Sequence, residues 1–211
     1  MSLIAFFGAL ESGLIYGLVA LGVLISFRTL DFPDLTADGS FPLGGAVAGI
    51  SIVAGINPWL ACAFGMLAGS VAGIVTAWLH VKLGILQLLA SILVMVALYS
   101  VNLRIMGAPN LPLLGETTVF STLVTDGNGY WMRCLIIGVV VAIAMLFLNW
   151  FYSTETGLSM RATGSNLRMA QAQGINTSWM TIIGMAISNG LIALAGALFV
   201  QTQGGADISI G

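Results

Sequence analysis

Four carboxylates lie within the first forty residues of a chain that otherwise consists mainly of apolar side chains. Glu11 falls inside an apolar run, and Asp31, Asp34 and Asp38 surround Pro33 just after that run. A carboxylate inside a membrane span is a functional candidate, because its burial in hydrocarbon is costly unless it is partnered or protonated. These four acids are therefore candidates to line the path of a polar solute.

Each of these acids also has a simpler explanation. Glu11 could reach water or a hydroxyl group on a neighbouring helix. Asp31, Asp34 and Asp38 could be solvated in a loop or could cap the helix that follows them. The sequence leaves both explanations open.

Other chemistry is excluded more firmly. No G-x-x-x-x-G-K-[ST] motif occurs, so the chain is expected not to bind ATP and any ATP-driven work falls to a partner. His80 is the single histidine, which leaves few routes to acid–base or metal-dependent catalysis. We therefore predict no catalytic residue, no metal site and no cofactor in this chain, and we do not expect an enzyme.

Composition indicates a membrane protein. The chain is 58% hydrophobic and 7% charged, with a mean hydropathy of +1.04. Such a chain cannot present the charged surface that a soluble protein needs, so membrane lipid is its expected surroundings. With six Lys or Arg and a net charge of −2, nucleic acid is not an expected partner.

The elements that must position the acids are apolar helices. The pattern predicts an all-α polytopic membrane protein with about six transmembrane or re-entrant helices in a single domain, residues 1–211. The six runs are Ile4–Phe27, Pro42–Ile56, Pro58–His80, Gly84–Met106, Cys134–Tyr152 and Trp179–Thr202. Between the fourth and fifth runs, residues 107–132 are predicted to form an external loop that could touch a substrate-delivering protein.

The second run, Pro42–Ile56, would be only about 22 Å long, against a hydrocarbon core of about 30 Å. Either this helix borrows part of the preceding loop, or it is a broken or re-entrant element packed inside the protein. Asp38 or Ser40 is predicted to cap it, with Pro42 in its first turn.

Glycines four residues apart predict close contacts between helices. Gly65, Gly69 and Gly73 form one such stripe in the third run, and Gly13 and Gly17 form a shorter one in the first.

Residues 153–178 form a polar interruption between two strongly apolar runs. Ser165 can cap a helix, and Gly174 can adopt the left-handed conformation that ends one. We therefore predict a short helix over Asn166–Gln173, about 12 Å long, which is too short to cross a bilayer and long enough to lie on its surface.

The interruption also carries a family pattern. It consists of Gly157, Arg161, Ala162, Gly164, Asn166, Ala170, Gly174 and Ile175, with Arg168 as a second cation. This pattern resembles the cytoplasmic loop of permease subunits of bacterial ABC importers in the branched-chain amino acid and monosaccharide group. The stretch Thr29–Gly49 is similar to an early segment of the same family.

This resemblance implies that residues 153–178 are a coupling loop whose helix sits in a cleft of a separate ATP-binding subunit, where ATP is bound. It also implies a second permease subunit, expected as a homodimer, an extracytoplasmic solute-binding protein, and a small solute such as an amino acid. Family members continue through further spans after a segment like Gln203–Gly211, so the chain is expected to be incomplete relative to them.

The basic residues predict the orientation. Alternating spans place Arg28, Lys82, Arg161 and Arg168 in the cytoplasm and leave Arg104 and Arg133 outside. The protein is therefore expected in the bacterial inner membrane with its N-terminus outside. Two alternatives remain at this point: a generic cytoplasmic loop, and an ion-coupled secondary transporter that uses Glu11 and Asp31.

Overall fold

The computed structural model of the chain describes residues 3–123 and 129–211. Within these ranges the protein is all-α, as predicted, apart from one pair of three-residue strands. The helices are α1 (Leu3–Val23), α2 (Ala37–Val53), α3 (Pro58–Leu83), α4 (Gln87–Met106), α5 (Val119–Leu123), α6 (Gly129–Ser153), α7 (Glu155–Ser165), α8 (Leu167–Ala172) and α9 (Thr177–Gln203). The strands are β1 (Asn110–Pro112) and β2 (Gly205–Asp207).

Five of the described helices are long and apolar enough to cross a membrane: α1 with its continuation, α3, α4, α6 and α9. The continuation of α1 is a π-helical turn, Leu24–Thr29. Large apolar side chains remain exposed on these helices, as a lipid-facing surface requires. The multi-pass prediction is therefore confirmed.

Tryptophans mark the two ends of the spans. Trp59 and Trp131 lie where α3 and α6 begin, and Trp78, Trp150 and Trp179 lie at the other side of the bundle. All five indoles are 46–69% exposed, which suits side chains at the level of lipid headgroups. The side that carries α7 and α8 is called the loop side below.

Helix α2 is the sixth apolar helix and is shorter than a simple span. It begins at Ala37, five residues before the predicted start at Pro42, so it borrows part of the preceding loop. The predicted caps Asp38 and Ser40 are wrong, because both lie inside the helix and Thr36 occupies the N-cap position. Pro42 is likewise inside the helix instead of in its first turn.

The core is built around α9, which packs against α1, α2 and α3. Helix α2 approaches α9 so closely that a Cβ on Gly44 would overlap the carbonyl of Ala193. On α3, a Cβ on Gly69 would lie 2.5 Å from the carbonyl oxygen of Asn189. Gly73 makes a similar contact with Met185, so the predicted glycine stripe on α3 is confirmed as a helix contact.

The glycines of α1 behave differently. Gly13 and Gly17 have no described atom within 4 Å of an added Cβ, so the close contact predicted there is not made within the described chain. Helix α1 instead meets α9 further along, where the Ser188 hydroxyl donates to the carbonyl of Gly22 at 2.7 Å.

The segment predicted as an external loop, residues 107–132, is partly ordered into regular structure. It contains β1 and α5, and α6 begins within it at Gly129 instead of at Cys134. Strand β1 pairs antiparallel with β2, which follows directly after α9, with Leu111 opposite Ala206. The prediction missed this sheet because the partner strand lies about ninety residues away in sequence.

Candidate functional site

The polar interruption of the sequence forms two helices, α7 and α8, where one was predicted. Helix α7 begins after Thr154, whose hydroxyl accepts a hydrogen bond from the N–H of Gly157 at 3.3 Å. This Thr-based cap was the signal that the prediction overlooked.

Helix α8 is the predicted short helix, with its cap moved by one residue. Asn166 has an extended backbone, φ −157°, and its side-chain oxygen accepts from the N–H of Met169 at 3.0 Å. Ser165, the predicted cap, ends α7 and donates to the carbonyl of Ala162 at 3.0 Å. Gly174 follows α8 with φ 82°, so its predicted left-handed conformation is confirmed.

Two motif glycines hold α7 against the membrane helices. A Cβ on Gly157 would overlap the carbonyl of Phe151 at the end of α6. A Cβ on Gly164 would overlap the carbonyl of Thr29 at the end of α1. Met160, between them on α7, is completely buried. The two helices α7 and α8, called the loop segment below, are therefore clamped through α7 against two spans.

Helix α8 has one inward and one outward face. Ala170 is buried, and its carbonyl accepts from the N–H of Ile175 at 3.1 Å, which closes the end of the helix. Leu167 is 51% exposed and Met169 is 62% exposed, and Arg168 between them is also exposed. This outward face offers apolar side chains and a cation to a partner surface.

Arg161, which is exposed, and Ala162, which is half-buried, lie on α7. Arg161 lines a cavity of about 510 Å³ on the loop side together with Arg28 and Asp31. The hydroxyls of Thr29 and Tyr152, also in its wall, lie 2.9 Å apart.

The four acids predicted to line a path are separated by the fold. Asp34 is only 2% exposed and is held in the core by the side-chain N–H of Asn189 at 2.7 Å and the N–H of Thr36 at 2.8 Å. Ser40 donates to the Oδ1 of the same Asn189 at 2.7 Å. Thr36 and Thr76 share a hydrogen bond of 2.9 Å, which brings α3 into the network.

This network ties the non-helical segment 30–36 to the middle of α9. Asn189 lies about 18 Å along α9 from its loop-side end. Residues 30–36 therefore run from the loop side into the interior without helical structure, and α2 begins there. Such backbone is tolerated at membrane depth only where protein surrounds it, and the network supplies the surrounding polar groups. Asn189 could have been identified from the sequence as a polar residue in an apolar run.

The remaining acids lie elsewhere. Glu11 is half-buried on α1. Asp31 is exposed at the end of α1 with a left-handed backbone, φ 51°. The part of α1 that follows Glu11 and the whole π-helical turn lie between these two acids, which puts them about 20 Å or more apart, too far to share one bound ion. Asp38 is exposed in the first turn of α2, beside a cavity between α2 and α4.

Taken together, five helices long and apolar enough to cross a membrane, a short interior helix and a clamped polar segment with an outward face define a polytopic α-helical membrane protein. The chain belongs to the family described as the permease component of the branched-chain amino acid transport system, whose family model matches residues 5–211. The residues described contain no group of three or more potential metal ligands.

Curated relatives agree with this family. The chain is 40% identical over 202 residues to a tyrosine transport system permease protein of Clostridioides difficile (strain R20291), covering 96% of this chain and 66% of that protein. It is 25% identical over 212 residues to a probable branched-chain amino acid transport permease protein of Methanocaldococcus jannaschii, covering 92% and 66%.

A more distant relative is named for the transport of a sugar. The chain is 28% identical over 198 residues to the galactofuranose transporter permease protein of Escherichia coli (strain K12), covering 90% of this chain and 54% of that protein. The chain thus spans between about half and two-thirds of the length of these relatives. No solved structure gives a significant match.

Proposed function

We propose that this chain is part of the permease subunit of an ATP-binding cassette importer, and that α7 and α8 couple it to a separate ATPase subunit. The observation that carries the proposal is the outward face of α8 on a segment clamped to α1 and α6. A docking element must offer a partner an accessible face and must be fixed to the spans that it moves. The segment meets both requirements.

A chain of packing contacts leads from α7 to the core helix α9. Gly164 packs on Thr29, and Leu30 packs against Gly184 of α9. The next residues, 31–36, lead to the network of Asp34 and Asn189. A shift of α7 would therefore move both residues 30–36, which precede α2, and the core helix α9. These are the elements that would surround a solute path between α2 and the helices beside it.

The distribution of cations supports a cytoplasmic loop side. Arg28 and Lys82 lie at the ends of the π-helical turn and of α3 on that side, and Arg161 and Arg168 lie on α7 and α8. Arg104 and Arg133 lie at the other ends of α4 and α6. Under the positive-inside rule this distribution supports the proposal that α7 and α8 lie in the cytoplasm and the N-terminus lies outside the bacterial inner membrane.

The names of the relatives support a proposal for the solute. Two of the relatives are named for tyrosine or branched-chain amino acids, which favours a small amino acid-like solute over a sugar. We also propose a second permease copy as a homodimer and an extracytoplasmic solute-binding protein. The separation of Glu11 from Asp31 argues against the alternative of a secondary transporter that couples ions through both.

The test begins with the genes beside this one, where an ATP-binding cassette subunit and a secreted binding protein are expected. Co-expression with that ATPase, in the full-length form of the permease, should yield a complex whose ATP hydrolysis rises with solute-loaded binding protein. Replacing Gly164 with Val should abolish this stimulation, because the added side chain meets the Thr29 carbonyl. An equally folded Gly164→Val complex with normal stimulation would contradict the coupling role.

Two variants of exposed apolar residues test whether α8 is the helix that docks on the ATPase subunit. Met169→Gln should weaken binding of the ATPase subunit, because it removes an exposed apolar side chain from the outward face. Leu158→Gln, on α7 and 55% exposed, is the matched control and should bind normally. Equal loss in both variants would show that α8 is not the specific docking helix.

A further inference from the structure

The cavity of about 510 Å³ on the loop side has a charged wall, and the proposed coupling assigns no ligand to it. Three elements form this wall: the π-helical turn after α1 provides Arg28 and Thr29, the end of α6 provides Asn149 and Tyr152, and α7 provides Arg161. Both arginines and the asparagine are exposed, so a ligand can reach their side chains from outside.

The charged side chains of the wall have no partners within the described ranges. No hydrogen bond or ion pair occupies the guanidinium groups of Arg28 and Arg161, or the carboxylate of Asp31 in the same wall. Two cations and one acid leave the wall with a net charge of +1. A guanidinium group holds its N–H donors in a planar fork that matches two oxygens of a phosphate. The wall is therefore suited to an anion of this kind.

The other polar side chains narrow the ligand further. The hydroxyls of Thr29 and Tyr152 are bonded to each other at 2.9 Å, and Ser165 donates to the carbonyl of Ala162 at 3.0 Å. The amide of Asn149, by contrast, has no hydrogen bond to any described residue. The available donors are thus one amide and two guanidinium groups. Such a set suits an anion with several oxygens better than a neutral solute.

The cavity lies at the depth of lipid headgroups. Trp150, whose sequence neighbour Asn149 is in the wall, is exposed at the loop-side end of α6, and an exposed indole prefers the headgroup level. Leu24 brings an exposed apolar side chain to the same wall. Apolar surface that can contact an acyl chain therefore adjoins cations that can contact a phosphate. This combination favours a lipid over an anion dissolved in water.

We propose that this cavity binds the headgroup of an anionic phospholipid from the leaflet on the loop side, with Arg28 and Arg161 as donors to its phosphate. Basic pockets between membrane helices are a usual place for such headgroups. A zwitterionic headgroup would leave the net charge of the wall uncompensated, and a phosphate without acyl chains would gain nothing from Leu24. The site does not depend on the proposed coupling, because its ligand comes from the membrane.

The test uses the full-length permease, purified in a neutral detergent, and three probes. They are dioctanoyl phosphatidylglycerol, an anionic lipid, dioctanoyl phosphatidylcholine, a zwitterionic lipid, and glycerol phosphate, which has no acyl chains. Thermal unfolding is followed at constant ionic strength. The anionic lipid should raise the unfolding temperature in a saturable way, at concentrations at which the other two probes have no effect.

Three results with these probes would each overturn the proposal. An equal shift with phosphatidylcholine would show that the site does not select for charge. An equal shift with glycerol phosphate would show a site for free anions and not for a lipid. The absence of any saturable shift with the anionic lipid would show that the cavity holds no such headgroup.

Variants with opposite expected effects locate the site. Arg28→Gln and Arg161→Gln should each raise the half-saturating concentration of the anionic lipid about fivefold or more, since each removes a cation from the wall. Asp31→Asn should lower it, because the wall becomes more positive, and asparagine tolerates the left-handed backbone at this position. Lys82→Gln, an exposed cation at the loop-side end of α3 and outside the wall, is the control and should leave it unchanged.

The variants also give results that would overturn the proposal. A loss in Lys82→Gln equal to that in the arginine variants would show a diffuse attraction of the lipid to the whole loop side. Weaker binding in Asp31→Asn would have the wrong sign. If Arg28→Gln failed to fold, unchanged binding in Arg161→Gln would still reject the site. Because no ATPase subunit is present in these measurements, their outcome is separate from that of the coupling test.

Discussion

The core helices and the outward-facing helix α8 of this protein are held in place by different means. In the core, α2, α3 and α9 approach until backbone meets backbone, as at Gly44 and Ala193, and a buried network around Asn189 fixes their order. Helix α7 shares this close approach, because Gly157 and Gly164 meet the backbone of Phe151 and Thr29. Helix α8, by contrast, is set by the side-chain cap of Asn166 and stays mostly exposed. The core therefore tolerates little change in shape, whereas α8 can exchange surface residues at small cost.

The strongest test of the contrast adds volume to the core. Gly44→Val should destabilise the fold by about 3 kcal/mol, because the new side chain meets the Ala193 carbonyl, which cannot move without displacing α9. Thermal unfolding in nanodiscs measures the loss. Gly17→Val, where an added Cβ meets no described atom within 4 Å, is the control and should unfold near the wild-type temperature.

The buried network should be the next most sensitive feature. Asn189→Leu leaves Asp34 in the core without its side-chain donor, which should cost about 2 kcal/mol of unfolding free energy. The exchanged double variant Asp34→Asn with Asn189→Asp keeps a donor facing an acceptor and should recover most of that loss. If the double variant is no better than the single one, the hydrogen bond is not what holds the segment 30–36 to α9.

A smaller effect is expected at the cap of α8. Asn166→Ala should cost about 1 kcal/mol, the usual value for a lost N-cap, and should speed hydrogen exchange at the N–H of Met169. Ser165→Ala, one residue earlier, should change that exchange rate little, because its hydroxyl serves the preceding helix. The opposite ranking would restore Ser165 as the cap.

The smallest effect on stability should come from the outward face of α8. Leu167→Gln should change the unfolding free energy by less than about 0.5 kcal/mol, as is usual for an exposed position. A loss as large as that of Asn189→Leu would show that α8 is packed as part of the core, and the contrast between the two regions would fail.

Features set by short-range patterns were predictable from the sequence. Apolar runs gave the spans, the spacing of Gly65, Gly69 and Gly73 gave a helix contact, and Gly174 gave the end of α8. Each of these depends on residues within a few turns of one another, where periodicity and backbone freedom decide the outcome. The helix cap at Asn166 was missed by one residue because Ser165 and Asn166 have equal capping chemistry, and only the local backbone distinguishes them.

Features set by distant contacts were not predictable. Asp34 carries the same side chain as Asp31 and Asp38, yet it alone lies opposite Asn189, more than 150 residues away. The predicted start of α2 is too late because the prediction assigns Pro42 to the first turn of the helix. In the fold, Phe41 and Ser40 are buried against α9, and this burial offsets the cost of a proline inside the helix.

The central position of α9 has a consequence for biosynthesis. Helix α2 and its extended lead-in need contacts with α9, which is made about 140 residues later. Until α9 emerges, the carboxylate of Asp34 lacks the side-chain donor of Asn189, and the glycines of α2 and α3 that face α9, such as Gly44 and Gly69, are uncovered. Contacts that distant in sequence form slowly and expose unpaired groups in the meantime. Helix α2 therefore packs only after α9 has been made, and until then the insertion machinery or water must cover it. Arrest of translation before residue 177 should leave α2 accessible to protease.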